Sequence, residues 1–178
     1  MGAYLLVVFA VLSRVIPHSW MNFTAVGGGL LYFGARRPLR EGIWPVLALM
    51  ATDFYLTVFA YRMAFHAQDY LITWVWYLAA LVLGSLLLRQ RTTPLRVVSG
   101  AVLASTSFFA VSNYAVWVGS AMYPHTLGGL TACYAAALPF YRNDVISTLL
   151  VSGLAFGIEA LVRHAREAHT TAQGRLAA

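Results

Sequence analysis

Lysine is absent from these 178 residues, so all twelve basic side chains are arginines, and acidic residues number only six. Charged residues make up 10% of the chain and hydrophobic ones 60%, a balance at which a water-soluble domain of this size would aggregate. The chain is therefore predicted to lie in lipid. A single cysteine, Cys133, leaves neither a CxxC pair nor an internal disulfide, which excludes a zinc knuckle and a dithiol redox centre. Sequences of the GxSxG, HExxH and Walker types are missing, and Gly27-Gly28-Gly29 lies in an apolar run without the lysine of a phosphate loop. No enzyme is read from these residues. The net charge of +6 would suit nucleic acid, but the arginines stand at the ends of apolar runs and form no basic face, so no nucleic-acid partner is expected. No linker or repeat divides the chain. Residues 1–166 are read as one transmembrane domain and 167–178 as a flexible cytoplasmic tail.

What is present is a series of apolar runs: Ala3–Ile16, Phe23–Ala35, Ile43–Tyr61, Tyr70–Leu88, Leu95–Val118 and Val145–Val162. About twenty residues cross the hydrocarbon core, so the last four are long enough and the first two are short. The start lacks the basic region of a cleaved signal peptide, so the first helix is expected to remain. A seventh run, Leu127–Phe140, contains Gly128, Gly129 and Pro139 and is expected as a short extra helix in the loop between helices 5 and 6. Arginines test the count, because cytoplasmic loops collect them. Arg36, Arg37 and Arg40, then Arg89, Arg91 and Arg96, then Arg163 and Arg166 share one side only if there are six spans, with both termini cytoplasmic. The predicted fold class is thus all-α, an integral membrane bundle of six transmembrane helices.

On that topology the uncommon polar residues gather on the outer side. The first outer loop carries Arg14, His18 and Asn22, the second His66, Asp69 and Tyr70, and the third Asn113, Tyr114, Trp117, Tyr123, Cys133, Tyr134 and Arg142. Aromatic walls with a few convergent polar groups are what a small-molecule pocket needs, although aromatic rings also belt both membrane interfaces. Asp53, about ten residues into the third run, requires a partner, and Arg14 is a candidate. Glu159 is read as pairing with Arg163 four residues on. Cys133 reads as a small buried apolar residue. His18 and His66 are weighed between ligand contact and loop ordering. The glycines of the second run permit close helix packing, and an accessory subunit would dock a larger membrane complex through them.

Arg14-Val15-Ile16-Pro17-His18, Asn22-Phe23-Thr24, Ser112-Asn113-Tyr114-Ala115-Val116-Trp117, Met122-Tyr123-Pro124 and Pro139-Phe140-Tyr141-Arg142-Asn143 make most of the chain resemble a family of small, uncharacterised bacterial membrane proteins. More distantly, the size and the outward ligand loops resemble the S components of energy-coupling-factor vitamin transporters, above all the solitary cobalamin-binding BtuM type. That resemblance implies an S-component-like bundle in the bacterial inner membrane that binds a vitamin-like ligand, with cobalamin or a related corrinoid as candidate. It also implies that His18 and Asp53 contact the ligand. His66 and Tyr70 stand where that type has a cysteine and a tyrosine, so the resemblance implies that axial coordination of cobalt either passes to His66 or is lost; no other metal site is expected. Ala10 is followed four residues later by Arg14, so the small-residue surface used to dock a shared ATPase module is lacking. The functional expectation is small-molecule binding and uptake through His18, Asn22, Asp53, His66, Tyr70, Asn113, Tyr114, Trp117, Tyr123, Tyr134 and Arg142. The alternative is an accessory or assembly subunit with no small ligand.

Overall fold

The computed structural model describes residues 1–16 and 23–176, with side chains through residue 170. Six α-helices form the fold: α1 (Gly2–Val15), α2 (Val26–Arg36), α3 (Ile43–Tyr55), α4 (Leu71–Leu88), α5 (Pro94–Gly119) and α6 (Leu127–Leu176). Four helical stretches are long and apolar enough to cross a membrane: Leu39–Ala60, Ala67–Leu88, Pro94–Gly119 and Leu127–Thr170. α1 is apolar but has only 14 residues, and α2 has 11, about 16 Å of helix.

α2 is the centre of the molecule. Every residue from Val26 to Ala35 is buried except Tyr32, which is half-buried, and α1, α4, α5 and α6 all pack against it. Four of its eleven residues are glycine, each about 1 kcal/mol worse than alanine in a helix, so local propensity does not make this element. Packing does. A methyl group at Gly34 would overlap the carbonyl oxygen of Leu81 in α4, and one at Gly84 would overlap that of Leu31 in α2. The two backbones therefore touch at a reciprocal glycine contact. Nearer the N-terminus of α2, a methyl at Gly27 would strike Thr148 and one at Gly28 would strike Val151 and the Ser152 amide of α6. These glycines are consumed inside the chain, so docking of a partner through the second helix is corrected: that face is not at the surface. Gly153 and Gly157 on α6, by contrast, have open space around them, as do Gly2 and Gly119 at helix ends.

α6 departs from the sequence reading. Residues 127–140 are no separate loop helix but the first part of a 50-residue helix, about 75 Å long, with Pro139 inside it. Pro139 removes one helical N–H donor, yet α5 clamps both sides of the break: Tyr134 Oη donates to the Ala110 carbonyl, and the Tyr141 ring lies 4.6 Å from that of Phe109. The α5–α6 connection shrinks to residues 120–126. α5 itself starts on Thr93, whose Oγ1 accepts the Arg96 amide at 3.3 Å, with Pro94 in the first turn.

The arginines between helices cluster at one end, as the charge pattern predicts. Arg36, at the C-terminus of α2, donates to Glu159 Oε2 at 2.7 Å, to Thr92 Oγ1 at 2.8 Å and to the Leu88 carbonyl that ends α4. Glu159 thus pairs with Arg36 rather than with Arg163: a long-range partner that also caps α4 outcompetes an exposed one four residues away.

Gly34→Ala and Gly84→Ala are each expected to lower stability by about 1–3 kcal/mol or more through overpacking, whereas Gly153→Ala should be neutral. Thermal melts of the three variants in mild detergent, followed by tryptophan fluorescence, check this.

Candidate functional site

At the end of the bundle opposite Arg36, α3 brings Asp53 inward at 1% exposure. A buried carboxylate is tolerated only when its oxygens are satisfied. Arg14 Nη2 lies 2.6 Å from Asp53 Oδ1, Trp74 Nε1 donates to Oδ2 at 2.9 Å, and Tyr77 Oη approaches the same oxygen at 3.2 Å while accepting from Arg14 Nη1 at 2.8 Å. The pairing of Asp53 with Arg14 matches the sequence reading. Just beyond Asp53, α3 widens into a π-turn over Leu56–Ala60. Thr57 Oγ1 donates to the Asp53 carbonyl at 2.7 Å within it and also meets Tyr70 Oη. Tyr70 in turn stacks with Phe65 and Trp74, which also stack on each other, in a three-ring cluster. α1, α3 and α4 are thereby tied together at one level.

Two cavities open at this level. One, of about 200 Å³, runs from Arg14 and Asp53 past Tyr70, Trp76 and Tyr77 to Phe108 and Asp144. The other, of about 310 Å³, lies between α5 and α6 and is lined by Ser105, Phe108, Phe109, Asn113, Tyr123, Cys133, Tyr141 and Asp144 among others. They share Phe108 and Asp144, so the two spaces adjoin. Ser105 is 1% exposed and faces the Asp144 carboxyl, short of hydrogen-bond geometry. Ser105 Oγ and Asp144 Oδ2 are both buried without a hydrogen-bond partner among the described residues. Thr148 and Ser152, one and two turns further along the same face of α6, also carry buried hydroxyls in that condition.

The structure sorts the candidate residues. Asp53 and Tyr70 line the smaller cavity, and Asn113 and Tyr123 line the larger. His66 is exposed at the start of a 3-10 turn. Tyr114 is exposed, Trp117 donates to the Pro124 carbonyl at 3.0 Å, and Tyr134 binds α5. Arg142 points to a shallow apolar depression on another side of α6 with Pro139 and Ile146. His18 and Asn22 lie outside the described residues. Cys133 is buried, as read from its neighbours. Asp144 is not among the residues singled out from this stretch of the sequence, which end at Asn143. Its signal was available: it is the one acid between Asp69 and Glu159, in the four-residue gap between the apolar runs Leu127–Phe140 and Val145–Val162, and a lone carboxyl at membrane depth marks a site. Among the described residues no group of three or more His, Cys, Asp or Glu could hold a metal ion.

Arg14→Met or Asp53→Asn should each destabilise the protein by about 3–5 kcal/mol, because either leaves a buried partner uncompensated. The double variant Arg14→Met with Asp53→Leu should recover part of that loss. Unfolding titrations with sodium dodecyl sulfate, read by tryptophan fluorescence, measure all three.

No curated protein and no solved structure matches the chain. A family model described as a family of unknown function, DUF6580, matches residues 1–171. The chain, apolar helices and paired cavities included, belongs to that family.

Proposed function

We propose that this protein binds a small organic molecule, at the end of the bundle away from the arginine cluster, and takes it up across the bacterial cytoplasmic membrane. The reading places six helices in an S-component-like arrangement with both termini on the arginine side, α1 and α2 being the short members. The single observation that carries it is the pair of adjoining cavities that meet at Asp144 and Phe108. Aromatic walls with a few polar groups left over by the fold are the usual make-up of a small-molecule site.

The spaces of about 310 and 200 Å³ favour a ligand much smaller than a corrinoid with its macrocycle and nucleotide tail. His66 is exposed and lines neither of them. The proposal therefore keeps uptake of a vitamin-sized ligand and drops cobalamin as its identity. It assigns the protein no reaction.

A second reading, an accessory subunit without a small ligand, draws on one observation. Gly153 and Gly157 present a GxxxG spacing on α6 with nothing within 4 Å of either added methyl, the pattern on which another membrane helix packs.

Native mass spectrometry of the protein released from mild detergent, after growth in vitamin-supplemented medium, separates the two. The expected result is a retained small molecule that Ser112→Trp, which fills the larger cavity, no longer carries. A ligand-free chain in fixed stoichiometry with another membrane protein, lost in Gly157→Leu, would replace the proposal with the accessory reading.

A further inference from the structure

Charge within the paired cavities does not balance. The smaller one brings two carboxyl groups, Asp53 and Asp144, to the same space as one guanidinium, Arg14. Arg14 is committed to Asp53 at 2.6 Å, and Tyr77 holds it there. Asp144 has no cation beside it, and no other charged side chain lines either space among the described residues. Its Oδ2 lacks any hydrogen-bond partner among them, and so does the neighbouring Ser105 Oγ at 1% exposure. A buried carboxyl in this condition is completed by a group that brings hydrogen-bond donors and positive charge together. The rings of Phe108, Phe109 and Tyr141 stand around the same point, and aromatic faces attract ammonium groups.

We infer that the ligand class is an organic cation: a protonated amine carried on a flat or apolar body. Its ammonium donates to Asp144 Oδ2 and Ser105 Oγ, and its body fills the aromatic space between α5 and α6. Asp53 is not the counter-ion, because Arg14 already neutralises it. This inference rests on the small-molecule reading of the site and adds the chemistry that the ligand must carry. It also distinguishes Asp144 from Thr148 and Ser152, whose hydroxyls are sealed behind the glycine face of α2 and bring no charge.

The test uses the full-length protein in nanodiscs and three probes of one shape: phenethylammonium, neutral 2-phenylethanol and anionic phenylacetate. Binding is read by melting temperature and by quenching of tryptophan fluorescence. Phenethylammonium alone is expected to bind, and Asp144→Asn, which keeps the shape and removes the charge, should weaken it by at least about tenfold. Ser105→Ala should weaken it less, and the melting temperatures of the unliganded variants verify that both are folded.

Equal binding of 2-phenylethanol, or unchanged affinity in Asp144→Asn, would overturn the cationic class while leaving a small-molecule site standing. Binding of none of the three would overturn it as well, and if the native protein also carried no ligand the uptake proposal would fall with it. A melting shift produced by sodium chloride without any amine, and lost in Asp144→Asn, would overturn it in favour of a metal ion.

Discussion

Gly34 and Gly84 let the backbones of α2 and α4 meet with no side chain between them, and the rest of the molecule is arranged around that contact. Because α4 can approach so closely, an 11-residue helix can sit inside a ring of longer ones with nearly every residue buried. In lipid there is little hydrophobic gain from helix association, so close packing of small residues supplies the attraction that a soluble core would obtain from burial. The same helix turns Gly27 and Gly28 toward α6, which fixes α6 against α2 along Thr148, Val151 and Ser152. One short glycine-rich segment thus positions both α4, toward its C-terminus, and α6, toward its N-terminus.

The polar features lie at the two ends of this central helix. Its C-terminal Arg36 gathers the end of α4, Thr92 and Glu159 into one cap. Beyond its N-terminus, where α2 no longer fills the space, the surrounding helices enclose the two cavities and the Arg14–Asp53 pair. A central helix of about 16 Å cannot fill a bundle whose outer members run about 27 Å and 39 Å for α4 and α5. The space left above it is where a ligand site can form. The shortness of α2 and the presence of cavities are therefore two aspects of one geometry.

Much of this was legible in the residues. Hydropathy located the four helices that are long and apolar enough to cross a membrane, and Arg36 lies at one end with Thr92 and Glu159, where the chain between α4 and α5 meets α6. The pairing of Asp53 with Arg14 followed from the high energy of a lone buried carboxylate. What misled was local signal overridden by tertiary contact. Pro139 reads as a break, but Tyr134 and Tyr141 hold α6 to α5 across it, so the supposed outer loop is two helices. Three consecutive glycines read as a surface for close helix packing, and it is helices of the chain itself, not of a partner, that pack on it. Glu159 offered a neighbour four residues away and found a better one 123 residues away. Aromatic and histidine residues drew attention to the loops, while Asp144, whose Oδ2 the fold leaves without a hydrogen-bond partner, lay unremarked between two apolar runs.

The most direct test of the central position of α2 is amide hydrogen exchange on the intact protein in nanodiscs. The amides of residues 30–36, hydrogen-bonded and walled in by four helices, should exchange more slowly than those of any other segment, including the longer α5. If α2 instead exchanges as fast as α1, which carries a lipid-facing surface, then the short helix is not the element on which the bundle is built.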